Sequence, residues 1–269
     1  MSAVPLRPRS FAVLLVASVA GLMMFVWPLL VRVEPGTSRV DPPFVFLALL
    51  PVLIVVVLAE FSEDGMDAKV LAMLGVLTAI NAVLRGVSAG TGGVELVFFL
   101  LILAGRVFGP GFGFAFGCTT LFASALLTAG VGPWLPFQML AAAWVGTGAG
   151  LLPQRPRGRA EIAMLMGYGV VAAYVYGLLM NLSGWPFALG VEVPGHTGSL
   201  SFVPGDPVLA NLHRFAVYTL VTSSGTFDTG RAITNAVAIA LLGPAVLLTL
   251  RRAQRRAEVR RIPAPSATA

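Results

Sequence analysis

Residues 67–86 read DAKVLAMLGVLTAINAVLRG. Small residues fall at Ala68, Ala72, Gly75, Ala79, Ala82 and Gly86, spaced four, three, four, three and four, which is one continuous face of a helix. Asn81 and Arg85 lie four apart on another face near the end of the run, extended by Thr78 and Ser88. A run of about 20 apolar residues is what a bilayer span requires. In lipid, apolar surface gives no net drive for helices to associate, so close approach at small residues does that work. The stripe therefore reads either as packing within a bundle or as a smooth face on which another helix can slide.

The same signal recurs along the chain. Apolar stretches run over 10–31, 44–60, 67–86, 94–108, 111–128, 134–152, 161–182 and 231–250. A weaker one at 208–224 carries His213, Arg214 and several hydroxyl residues. The composition agrees, at 57% apolar and 11% charged with mean hydropathy +0.87, against about a quarter charged in soluble domains. Disorder, an ordinary cytosolic enzyme and a nucleic-acid-binding domain are excluded. The expected fold class is all-α, a polytopic integral membrane helical bundle. Arg7 and Arg9 precede the first stretch as in a signal peptide, but its length and the lack of a small-x-small cleavage site favour a retained helix.

Orientation follows from the arginines. With a cytoplasmic N-terminus and eight crossings, the inner side holds thirteen Lys and Arg residues, among them Arg155, Arg157, Arg159, Arg251 and Arg252, against Arg32, Arg39, Arg85, Arg214 and Arg231 outside. This positive-inside bias predicts a multi-pass protein of the cell membrane with both termini cytoplasmic. The acidic Glu60, Glu63, Asp64 and Asp67 fall inside, but acidic residues contribute little to the rule. A crossing at 208–224 would put the six C-terminal arginines outside, so that stretch is expected to lie at the outer face.

Several chemistries lack their residues. Lys69, the sole lysine, follows Ala68, so there is no Walker A Gly-Lys-Ser/Thr. His196 and His213 stand apart and Cys118 is the single cysteine, so neither a metal site nor an intrachain disulfide is expected. Ser224, Gly225 and His213 share one outer segment, which does not suit an intramembrane serine protease. No catalytic residue and no cofactor are expected.

The polar residues of the spans gather at the outer ends of five helices. Asn81 and Arg85 close the first, Glu95 opens the next, and Trp134 and Gln138 open 134–152. Asn181 and Trp185 close 161–182, and Asp228, Arg231 and Asn235 share one face at the start of the last helix. Structural ion pairs (Arg85 with Glu95, or Asp228 with Arg231) and an aromatic belt at Trp134 and Trp185 are the alternatives to a ligand site. An amide within a span serves neither solubility nor topology, which favours a polar pocket open to the outside. No comparable set is apparent in the inner halves.

Four segments carry a resemblance to a known family: 67–86; 106–128, RVFGPGFGFAFGCTTLFASALLT; 130–153, GVGPWLPFQMLAAAWVGTGAGLLP; and 228–252, DTGRAITNAVAIALLGPAVLLTLRR. Together they resemble the substrate-binding S component of energy-coupling factor (ECF) vitamin transporters. The resemblance implies a six-helix core over 67–255 with an outer-face segment 183–230, a basic cytoplasmic tail 256–269, and two additional N-terminal helices within 1–66 that depart from the pattern. It also implies a vitamin captured outside, a transmembrane coupling subunit, two ATPase subunits, and toppling of the whole component. The family's Ala-x-x-x-Ala coupling motif maps to Ala68 and Ala72, continued here by Gly75 and Ala79. Charge balance between Arg85 and Arg231 and Glu95 and Asp228, with amides beside them, suits a large near-neutral ligand. Cobalamin or a related corrinoid is the best single expectation, with riboflavin or a queuosine-type precursor open. The competing class is a self-sufficient secondary transporter, which would show inverted repeats and broken helices at mid-membrane.

Overall fold

The computed structural model of the chain describes residues 8–26, 29, 51–52, 54–55, 58–59, 68–88, 92–185 and 200–258. All regular structure among them is helical: α1 (Pro8–Phe25), α2 (Ala68–Ser88), α3 (Val97–Phe108), α4 (Pro110–Leu127), α5 (Leu135–Leu151), α6 (Arg159–Gly184), α7 (Val208–Thr219), a π-helical segment (Leu220–Asp228) and α8 (Thr229–Glu258). Five runs among the described residues are long and apolar enough to cross a bilayer: Pro8–Phe25, Ala68–Val87, Pro110–Leu127, Arg159–Gly184 and Val208–Arg256. The expected stretch 44–60 lies mostly outside the described residues, although Ile54 is helical and buried. Also outside them are Arg7, Arg32, Arg39, Glu60, Glu63, Asp64, Asp67, His196 and most of the 256–269 tail.

Two expectations change. The 94–108 stretch becomes helical only at Val97, because Gly92 and Gly93 turn the chain first at φ +55° and +81°. The resulting α3 has 12 residues, about 18 Å, which is shorter than a hydrocarbon core of about 30 Å. Apart from Arg106 it is apolar on every side, and it is buried along its whole length, as an all-round apolar helix must be. The 208–224 stretch is not a separate outer helix. It runs through the π segment into α8 as one unbroken helical rod. It lengthens the last helix at its N-terminal end.

Glycine sets the closest packing. A Cβ at Gly105 of α3 or Gly113 of α4 would collide with the backbone carbonyl of Gly146 of α5, and one at Gly150 with the backbone of Pro110. These helices therefore touch backbone to backbone, the contact that holds helices together in lipid. Helices α6 and α8 run antiparallel, with Gly169 against Asn235 and Ile239 and Gly177 against Asp228. The stripes through Gly113 and Gly169 thus pack inside the bundle. The stripe on α2 does not: Ala68, Ala72, Gly75 and Ala79 are exposed, and only Ala82 is buried. A Cβ at Gly75 would meet nothing within 4 Å. Helix α1 leans on α5, where Trp144 Nε1 donates to Ser18 Oγ at 2.9 Å and Phe25 packs edge-on to Phe137 at 5.1 Å.

Antiparallel pairing gives the bundle two ends. Arg106, Arg159 and Arg251 mark the basic end, where α3 and α8 finish and α4 and α6 begin. The opposite, polar end holds the last turns of α2 and α6 and the start of α8.

Candidate functional site

Two polar clusters form at the polar end. In the first, α2 runs parallel to α4 and matches it residue for residue. Thr78 meets Thr119 at 2.8 Å, Asn81 Nδ2 donates to Thr120 Oγ1 at 3.4 Å, and Arg85 Nη1 donates to Ser124 Oγ at 2.9 Å. Arg85 Nη2 also donates to Gln138 Oε1 of α5 at 3.4 Å. The spacing of four on α2 is answered by Thr120 and Ser124, also four apart, on α4. That echo was readable but passed over, since helical Ser and Thr ordinarily bond their own backbone, as Thr119 does to Ala115 O.

The second cluster surrounds Arg231. Its guanidinium donates to Glu95 Oε2 at 2.8 Å, to Asp228 Oδ1 at 2.8 Å and to Ala173 O at 3.3 Å. It lies over the rings of Tyr176 at 5.0 Å and Phe98 at 5.5 Å. Glu95 therefore pairs with Arg231, and Arg85 is held by hydroxyl and amide groups. Local backbone explains both carboxylates. Gly93 sits so close to the Phe227 backbone that a side chain would collide there, which brings Glu95 beside α8. A Cβ at Gly177 would overlap the Asp228 carboxylate, so the glycine makes its room. The π segment supplies Ser223, whose hydroxyl donates to Asp228 Oδ2 at 2.7 Å. Wide π turns are rare and are frequently found at functional sites.

The remaining site candidates divide. Asn235 is fully buried, with Nδ2 at 3.5 Å from Gly169 O and Oδ1 unpartnered. Asn81 Oδ1, Asn181 Nδ2 and Thr219 Oγ1 are likewise buried without a partner. Trp185, a site candidate that also read as a belt residue, is buried among Phe202 and Phe215 and donates Nε1 to Leu200 O at 2.8 Å. Trp134 is 54% exposed and joins neither cluster.

The basic end also buries charge, in an ion network that its sequence does not announce. Arg106 is 4% exposed, and its Nε donates to Glu161 Oε1 at 2.8 Å. Its Nη1 donates to Leu152 O at 3.0 Å and Pro153 O at 2.9 Å, and Arg251 reaches the same Glu161 oxygen at 2.6 Å. These groups read from sequence as topology charges, and only the fold pairs them.

A family model described as ECF transporter, substrate-specific component, matches residues 69–244. No curated protein and no solved structure matches the chain.

Proposed function

The chain belongs to the family of ECF transporter substrate-specific components, and from that premise we propose that it is the membrane-embedded substrate-binding subunit of an ATP-driven vitamin importer. The ligand is taken at the polar end, facing outward, and delivered with a transmembrane coupling subunit and two ATPases. The observation that carries this reading is the set of buried, unpartnered polar atoms on Asn81, Asn181, Thr219 and Asn235. Each stranded buried group costs about 1–3 kcal/mol, and native proteins leave few of them. A polar ligand supplies the missing partners. Arg85 and Arg231 balance Glu95 and Asp228, which supports a near-neutral ligand, and a corrinoid is our specific candidate.

Coupling is assigned to the small-residue face of α2 at Ala68, Ala72, Gly75 and Ala79, whose exposure supports close approach by a partner helix. The basic end faces the cytoplasm in this reading, in keeping with Arg155, Arg157, Arg159, Arg251 and Arg252.

The experiment is purification in mild detergent followed by mass spectrometry of the extract. A stoichiometric co-purifying vitamin is expected, with cobalt present if it is a corrinoid. A protein that emerges empty and takes up no vitamin from a mixed panel overturns the reading. Cysteine labelling at Arg157→Cys and Pro207→Cys, both exposed positions, tests orientation against a quiet background, since Cys118 is buried. Labelling of position 207 only from inside refutes the topology.

A further inference from the structure

Beyond substrate capture, we propose that the basic end of α6 and α8 holds an anionic phospholipid, its headgroup among arginines and an acyl chain in the adjoining apolar groove. A cavity of about 410 Å³ is lined there by Arg106, Arg157, Arg251 and Arg255, with Glu161 as its acidic residue. Glu161 is already committed, accepting from Arg106 at 2.8 Å and Arg251 at 2.6 Å. Among the described residues no other acidic side chain lines the cavity to offset Arg157 and Arg255, both exposed. Helix α6 also starts here, with no side-chain cap bond from Gly158. The positive end of its 26-residue dipole adds to the attraction for an anion.

A second cavity of about 610 Å³ shares Glu161 and Arg251 with the first. It is walled by Ile162 and Met166 of α6 and by Pro244, Leu247 and Leu248 of α8. Pro244 has no N–H to offer the Ala240 carbonyl one turn earlier, and both residues line this groove. The charged pocket and the apolar groove therefore meet at one ion pair. A free phosphate fills only the first; a phospholipid fills both. Basic pockets between transmembrane helices at the cytoplasmic face take anionic headgroups for the same reason of charge. The inference uses the membrane orientation of the proposed function but not its substrate, and it is read out on lipid alone.

The test is native mass spectrometry of the full chain released from mixed phosphatidylglycerol and phosphatidylcholine nanodiscs. Phosphatidylglycerol should be retained over phosphatidylcholine by roughly tenfold or more, the scale expected of two basic residues at a membrane surface. Arg157→Gln with Arg255→Gln should abolish that preference. Ala163→Trp, at an exposed groove position, should lower retention of the lipid with every arginine in place. Added inorganic phosphate should compete weakly. Equal retention of the two lipids overturns the proposal, as does a preference that survives the double variant. Retention unchanged by Ala163→Trp, or full displacement by inorganic phosphate, makes the pocket a simple anion site and overturns the lipid assignment. Unfolding temperatures of the variants, expected within a few degrees of the parent, separate these outcomes from misfolding.

Discussion

Each end of the bundle buries an arginine against carboxylates, and the two ends complete the arrangement differently. At the basic end Arg106 is held by Glu161 and two backbone carbonyls, and none of the buried unpartnered side-chain atoms found among the described residues lies there. At the polar end Arg231 is held by Glu95 and Asp228, yet Asn81, Asn181, Thr219 and Asn235 all keep bonding capacity in reserve. Buried charge alone does not separate a lock from a receptor. Unused hydrogen-bonding capacity does.

The largest effect should fall on the lock. Glu161→Gln strands Arg106 and should cost about 3–5 kcal/mol of stability, the penalty for breaking a buried pair, seen as a lowered denaturation midpoint in detergent. Glu95, with a side chain 29% exposed, should cost only about 1 kcal/mol on change to Gln, because water screens it. Equal losses would erase the contrast between the ends. Next, Ala72→Trp should cut uptake roughly tenfold or more with ligand affinity retained, since a bulky ring blocks close helix approach. A transport assay in vesicles decides this, and normal uptake would free the α2 face of its assigned role. Asn235→Leu and Asn181→Leu should each weaken ligand binding by about 1–3 kcal/mol while the purified variants stay folded and monodisperse. Calorimetry on the purified variants reads the first, and unchanged affinity in both would move the ligand away from the amides. Smallest of all, Trp134→Phe should alter affinity by less than about 0.5 kcal/mol. A larger loss would extend the site to the exposed rim.

Much of this was legible before any fold was known, for stated reasons. Helical periodicity carried the Asn81–Arg85 face, the Asp228–Arg231–Asn235 face and the bare stripe on α2, because all three are properties of single helices. Pairings between distant segments left no such trace. Glu95 stands 136 residues from Arg231 and Arg106 stands 55 from Glu161, and each of these charges also fits a loop or helix end. Trp185 looked like a belt residue because its burial depends on Phe202 and Phe215, beyond a long connection. The continuity of 208–224 with the last helix left no trace either, because Thr222, Ser223, Ser224 and Gly225 favour turns in isolation. In the fold, Thr222 donates to Tyr218 O at 2.7 Å and Ser223 to Asp228, so the hydroxyls are satisfied without ending the rod.

Helix α3 ties the two ends together. Glu95 stands just before its first residue and Arg106 in its last turn, so both ion networks hang on one short spindle with no free surface. Rocking the bundle open at one mouth while sealing the other would require these clamps to release the spindle in turn. Each release would cost about 3–5 kcal/mol where the pair is fully buried. Turning the whole body in the bilayer leaves both clamps shut.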